Sequence, residues 1–343
     1  MELKDMIIEL ASIQGPSGFE ESVAARISDT LKGYMDEVHT DVMGNVIALR
    51  KSGVPGAKKL LLDAHMDEIG LIVTKIDKGG FIRFSTLGGV DPRMLPDREV
   101  AILTDPVRFG VVACMPPHVL SGEDMDKATP IKEMVIDTGL TQEQAQELIP
   151  LGTPIVFRCG AEMLGDDKIC GKSLDDRACI GIILRAVDML KDEQLPVDLY
   201  VMASTQEEVG CRGAKTGVFA VDPDFCVAID VTHGDTPDAP KEKTMKFGGG
   251  AAIGVGPNMN KNITNRLISL AKAKDIPFQI EVMGGNTGTN GWVMQVSREG
   301  VSTSVLSLPL RYMHTPVETV KLSDAESVAR LMCELVRSMK EAM

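Results

Sequence analysis

From residue 170 onward, apolar runs of strand length alternate with segments of helical periodicity. That alternation confines the chain to a largely parallel α/β sheet, because parallel neighbours need a crossover, usually helical, between them. A helical pattern over 177–190 precedes a strand at 197–204, and a second buried strand follows at 225–230. A helix at 263–274, strands at 278–282 and 301–308, and a last helix from Ser323 continue the series. The N-terminal segment begins with helices: Ser17 to Glu20 fits a capping box, with Val23, Ile27 and Leu31 behind it at helical spacing. Strands at 45–49 and 60–64 come next, separated by turn residues.

Between about 70 and 165 the texture changes. Short β-type runs at 71–76, 81–85, 100–103, 110–113 and 154–158 are punctuated by Gly and Pro, and helical periodicity is confined to 141–148. This predicts a small β-barrel inserted into a larger α/β unit. The expected fold class is therefore α/β, with a mixed, mostly parallel sheet, helices on both faces and an inserted barrel. The expected division is residues 1–69 and 166–343 for the sheet domain and 70–165 for the insertion.

Composition narrows the function classes. The chain has 36 basic and 49 acidic side chains, a net charge of −13, which argues against nucleic acid and anionic membranes as partners. No apolar run has the length of a membrane span, and the start Met1-Glu2-Leu3-Lys4-Asp5 carries no secretory signal. Seven cysteines without a close C-x-x-C pair predict neither a disulfide framework nor a zinc ribbon, and a reducing, cytoplasmic setting is expected. A bound metal would need histidine and carboxylate ligands.

Such residues stand where strands are expected to end. The run 60–64 leads into His65-Met66-Asp67-Glu68, 199–205 into Gln206-Glu207-Glu208, 227–229 into Asp230, and 305–308 by a short loop to His314. Side chains beyond the carboxyl ends of several strands converge in open α/β sheets. Histidines mixed with carboxylates suit zinc, cobalt or manganese. His65 and Asp67, two apart, point the same way on an extended chain, so Asp67 either ligates or orients the imidazole. Asp175, before an apolar helix, either bridges two ions with its two oxygens or caps that helix.

These blocks, with Ser173-Leu174-Asp175-Asp176-Arg177, Gln206-Glu207-Glu208-Val209-Gly210, Ala228-Ile229-Asp230-Val231-Thr232 and Arg311-Tyr312-Met313-His314, occur in order and resemble the glutamyl/deblocking aminopeptidases. That is a family of dinuclear metallopeptidases which includes the tetrahedral aminopeptidases. The resemblance covers essentially the whole chain and implies a zinc-peptidase-like catalytic domain. It implies two divalent ions per subunit, zinc foremost, with cobalt and manganese as alternatives. His65 and Asp230 would hold one ion and Glu208 and His314 the other, with Asp175 bridging. Asp67 would orient His65, and Glu207 would be the general base. It also implies a cis peptide bond after Asp67, peptide substrates, and a homo-oligomer, often of twelve subunits, with the β insertion forming contacts. The chain departs from the family pattern at Asn290, where the motif Gly-Thr-Asp-Ala carries an aspartate, and at Asp176, where asparagine is common.

Three rivals carry different expectations. An amide hydrolase acting on blocked amino acids would use the same ligands, and a catalytically inactive relative would have no need of Glu207. A glycosidase is considered because relatives have been labelled endoglucanases. It would use two carboxylates, often with aromatic platforms, whereas the chain has one Trp and three Tyr and its carboxylates accompany histidines.

Overall fold

The computed structural model describes residues 2–119, 127–237 and 239–340. Helices α1 (Leu3–Ser12) and α2 (Glu21–Leu31) lead into β1 (Glu37–Thr40), β2 (Val46–Arg50) and β3 (Lys59–His65). The chain then leaves the sheet to form β4 (Gly70–Ile76), β5 (Ile82–Leu87), β6 (Glu99–Ile102), β7 (Arg108–Ala113), β8 (Val135–Asp137), α3 (Gln142–Leu148) and β9 (Pro154–Phe157). It returns through β10 (Glu162–Met163), β11 (Lys168–Gly171), α4 (Leu174–Leu190), β12 (Asp198–Ser204), α5 (Arg212–Val221) and β13 (Phe225–His233). The last elements are β14 (Ala251–Val255), α6 (Lys261–Ala273), β15 (Phe278–Val282), α7 (Gly291–Met294), β16 (Ser302–Arg311), β17 (Glu318–Lys321) and α8 (Leu322–Ser338).

The large sheet runs β1-β2-β12-β3-β13-β16-β17-β11-β10, with β14 and β15 branching from β16. Its centre, β12-β3-β13-β16, is parallel. These strands read as continuous apolar runs because helices cover both faces. Leu60, Leu62, Val227 and Ile229 pack into the core shared with α1, α4 and α8, while Leu61, Cys226, Ala228 and Val305 face Ala214 and Val218 of α5. Alternation along the strands therefore sends His65 and Asp230 to the α5 face, at the carboxyl ends of β3 and β13. Among the described residues, no helix is long and apolar enough to cross a membrane.

Strands β4-β5-β8-β7-β6-β9 close an antiparallel barrel around Leu71, Val73, Ile82, Phe84, Ile102, Val112, Ile136 and Ile155. Strand β8 is absent from the sequence reading: three residues are too few to show a period of two, yet they close the barrel. Residues 120–126, within the stretch expected to form the insertion, lie outside the described residues.

Two local expectations are corrected. No capping box forms at Ser17–Glu20: Glu20 makes no side-chain cap bond to α2, and Ser17 Oγ donates to Asp67 instead. A capping box does form at Thr141 and Gln144 of α3. The non-proline cis bond joins Asp175 to Asp176, not Asp67 to Glu68. The backbone around Asp67 instead continues from β3 under main-chain bonds, with Met66 N donating to Ser204 O and Glu68 N to Gly15 O.

Candidate active site

β3 ends by placing His65 beneath the sheet's carboxyl edge, 2 % exposed. Its Nδ1 lies 3.1 Å from Asp67 O and 3.3 Å from Asp67 Oδ1, and its Nε2 lies 3.1 Å from Asp175 Oδ1. With Nδ1–H donated to Asp67, Nε2 is the nitrogen turned inward. Asp230, projecting from β13 on the same face, brings a carboxylate oxygen to within 4.8 Å of both the His65 nitrogen and an Asp175 oxygen.

The second histidine follows the same plan. His314 sits after β16, and its Nδ1 bonds to Gly89 O at 3.0 Å. Its Nε2 faces Asp175 Oδ2 at 3.3 Å and Glu208 Oε1 at 3.1 Å. Asp175 thus stands between the two imidazoles with one oxygen toward each. Buried Glu318 fixes this arrangement from below: Oε1 accepts the His314 N–H at 2.8 Å and Oε2 the Asp175 N–H at 3.1 Å. Gly89 comes from the barrel side, after β5, and a Cβ there would lie 2.7 Å from His314 Nδ1.

Glu207 and Glu208 follow β12. Their backbone N–H groups donate to the two oxygens of Asp67, at 2.9 and 3.2 Å. Asp67, fully buried, also accepts Ser17 Oγ at 2.6 Å. Cys211 Sγ donates to Glu207 Oε1 at 3.2 Å.

Charge is crowded here. Burial raises the Glu207 carboxyl to about 7, with Glu208 adding to the rise and His65 opposing it. Burial, with Asp175 and Glu207, also pushes Asp230 well above the usual carboxylate range. Burial works against charging His314, but Asp175 and Glu208 outweigh it and raise the imidazole to about 11; burial likewise opposes charging His65, where Asp175 and Asp67 outweigh it. Lys172 and Arg177 are turned to Glu68, and among the described residues the ion pairs of the site carboxylates are with His65 and His314. A donor set of carboxylates and inward nitrogens with excess buried negative charge fits divalent cations. Two groups offer converging atoms: His65, Asp175 and Asp230, and Asp175, Glu208 and His314.

All seven residues singled out in the sequence, His65, Asp67, Asp175, Glu207, Glu208, Asp230 and His314, meet in this cluster, while His39, His118 and His233 are exposed. Sequence reasoning missed Gly89, Cys211 and Glu318, and read Ser17 and Glu20 only as a helix cap. Apart from Cys211, which reaches Glu207 four residues back, their contacts cross long stretches of sequence or run to main-chain atoms, and leave no periodic signal.

The sequence profile of the M42 glutamyl aminopeptidase family matches residues 44–331. The lysyl aminopeptidase of Pyrococcus furiosus is 37 % identical over 345 residues, covering 99 % of this chain and 97 % of its own. An aminopeptidase from the archaeon Desulfurococcus kamchatkensis superposes with a TM-score of 0.91 at 35 % identity, over 98 % of this chain and 94 % of its own. The TET1 peptidase of Pyrococcus horikoshii, which assembles into a tetrahedron or a large octahedral shell, superposes with a TM-score of 0.87 at 30 % identity, over 98 % of this chain and 100 % of its own.

Proposed function

Because the chain belongs to the M42 glutamyl aminopeptidase family, and so is a peptidase, we propose that it removes residues from the free N-termini of peptides with two divalent ions in the site described above. His65 and Asp230 would hold one ion and Glu208 and His314 the other, with Asp175 shared. The single observation that carries this reading is the position of Asp175, with one oxygen toward each inward-facing imidazole nitrogen. When bound, two such ions polarise the scissile carbonyl and acidify the attacking water; zinc is the first choice, cobalt or manganese next.

The chain's own residues do the rest. Glu207 takes a proton from the attacking water and returns it to the leaving amine. The Cys211 thiol holds one oxygen of Glu207, leaving the other free to face the water. Asp67 fixes His65 through Nδ1 and carries the backbone of Glu207 and Glu208.

The inserted unit, 70–165, is assigned to contacts between subunits and to access of substrate. Gly89, reaching His314, supports the second role. By kinship with the TET1 peptidase the chain assembles with its own copies, in a closed shell such as a dodecamer. Light scattering that gave a monomer would overturn this.

The reaction is tested with Glu207→Gln. The variant is expected to keep its metal content and lose turnover by about 10²–10⁴-fold, the range for removing a general acid–base group. Near-normal turnover would remove Glu207 from its role.

A further inference from the structure

Beyond the last ladder partner of β12, residues 205–208 carry the chain to the site as a loop. A backbone outside a ladder must find its hydrogen-bond partners elsewhere. Here four consecutive N–H groups are each taken by a side-chain oxygen. Thr205 N donates to Asn45 Oδ1 at 3.0 Å, Gln206 N to Glu20 Oε1 at 3.1 Å, Glu207 N to Asp67 Oδ1 at 2.9 Å and Glu208 N to Asp67 Oδ2 at 3.2 Å. The acceptors come from three separate segments and are all buried.

The Glu20 side chain caps no helix, although its carbonyl accepts the Ala24 N–H of α2 at 2.9 Å. Its Oε1 also accepts Gly18 N at 2.8 Å. The turn that carries it is tied to the site at its other end, where Ser17 Oγ donates to Asp67 Oδ2. Gln206 adopts φ 55°, in the left-handed region that a side-chain-bearing residue enters only when its surroundings hold it there. On the α5 side the hold is by main chain, with Arg212 N donating to Gln206 O at 3.2 Å and Gly213 N to Thr205 O at 3.0 Å; on the other side it falls to Glu20. A cavity of about 320 Å³, lined by Glu20, Met43, Gly44, Thr205 and Gln206, opens beside this stretch.

We propose that Glu20 is a positioning residue for the peptidase reaction: by accepting the Gln206 N–H it fixes the backbone from which Glu207 and Glu208 project. This rests on the assignment of Glu207 as base, because only then does a displaced loop slow turnover rather than weaken binding. An isosteric amide keeps an acceptor oxygen at the same reach, an aspartate falls one methylene short, and an alanine has none.

The test uses the full-length, metal-loaded protein and its Glu20→Ala, Glu20→Asp and Glu20→Gln variants, measured for kcat, KM, metal content and hydrogen exchange of peptides spanning 205–211. Glu20→Ala is expected to expose these amides to faster exchange and to lower kcat about tenfold to a hundredfold, as small misplacements of reacting groups do. KM should stay within about threefold, the pattern of an interaction made in the transition state, and metal content reports separately any displacement of Glu208. Glu20→Gln should restore both exchange and most of kcat. Where Glu20→Ala fails to fold, Glu20→Asp carries the same expectation. Unchanged exchange and kcat in the alanine or aspartate variant, or a glutamine variant as impaired as alanine, overturns the proposal. An active Glu207→Gln variant removes the base assignment alone, since the exchange readout does not depend on chemistry.

Discussion

Asn290 donates its side-chain amide to Asp63 Oδ2 at 2.8 Å, two residues along β3 from His65. The same amide donates to Ser204 Oγ at 2.8 Å, and all three side chains are buried. Position 290 thus sets an amide facing the carboxylate at 63. Burial raises Asp63 to about 6, while the bonds from Ser204 and Asn290 hold it back.

Asn290→Asp therefore sets two carboxylates against each other without a cation. It should cost about 2–4 kcal/mol, the scale of leaving a buried charge uncompensated. Adding Asp63→Asn restores one amide facing one carboxylate, so denaturant unfolding of the double variant should recover most of the loss. Additive losses would show that the two side chains act independently.

Glu68 is the anchor of a second buried cluster. Lys172 Nζ lies 2.6 Å from Oε2, Gly15 N donates to Oε1 at 3.0 Å, and Arg177 stands 3.6 Å away. Arg177 also donates to the carbonyls of Leu10, Ile13, Gly15 and Met66, so it ties α1 and the start of α4 to the segment after His65. Burial pushes the Glu68 carboxyl up, but Lys172 and Arg177 outweigh it and hold it below its ordinary 4.5. A depressed carboxyl stabilises the fold above its unfolded value and loses that contribution as pH falls through the folded one. Glu68→Gln is expected to cost about 3–5 kcal/mol at neutral pH, as for one broken buried pair, with the gap to the parent narrowing in acid below about 4.5. Unfolding curves over that range check it, and a gap that does not change with pH would contradict it.

Gly89→Ala tests the reach of the barrel into the site. The added methyl would stand 2.7 Å from His314 Nδ1, so the imidazole must move off Glu208 and Asp175. The barrel fold should survive, with unfolding changed by less than about 1 kcal/mol, as for a substitution away from the core. Turnover should fall about 10²-fold, the loss a misplacement near 1 Å can cause. Wild-type kinetics would show that the His314 position is not needed.

The parts of this molecule legible in the sequence are those with a repeating cause. β3 and β12 announce themselves as apolar runs, and the polar residues that end them, His65 and Glu207, stand out by contrast. Strand β13 runs three residues past the expected end, to His233, because Val231 and Thr232 are β-branched and continue the extended chain. Helix α5 escaped notice because Gly213 and Gly217 interrupt its pattern. Both are needed for close contact: a Cβ on Gly213 would stand 2.2 Å from Asn45 Oδ1, and one on Gly217 would stand 2.2 Å from Met202 Sδ. The supports of the site, Ser17, Glu20, Gly89 and Glu318, stayed hidden for a different reason. Each acts through bonds to an atom far away or to a main-chain group, and such bonds have no spacing to read.

Asp175→Ala should disturb both proposed ions at once. It removes the group facing both imidazoles, so elemental analysis should find the variant metal-poor and its turnover should fall further than that of Glu207→Gln. Full metal occupancy would contradict the shared role of Asp175.

The central claim is tested most directly by digesting a mixed pool of unblocked and N-acetylated peptides with metal-stripped protein, then adding zinc or cobalt, and following the products by mass spectrometry. Stepwise loss of residues from the unblocked peptides, appearing only with metal, is the predicted result. Trimming that proceeds equally in the stripped protein, or removal of acetyl groups without trimming, would contradict it.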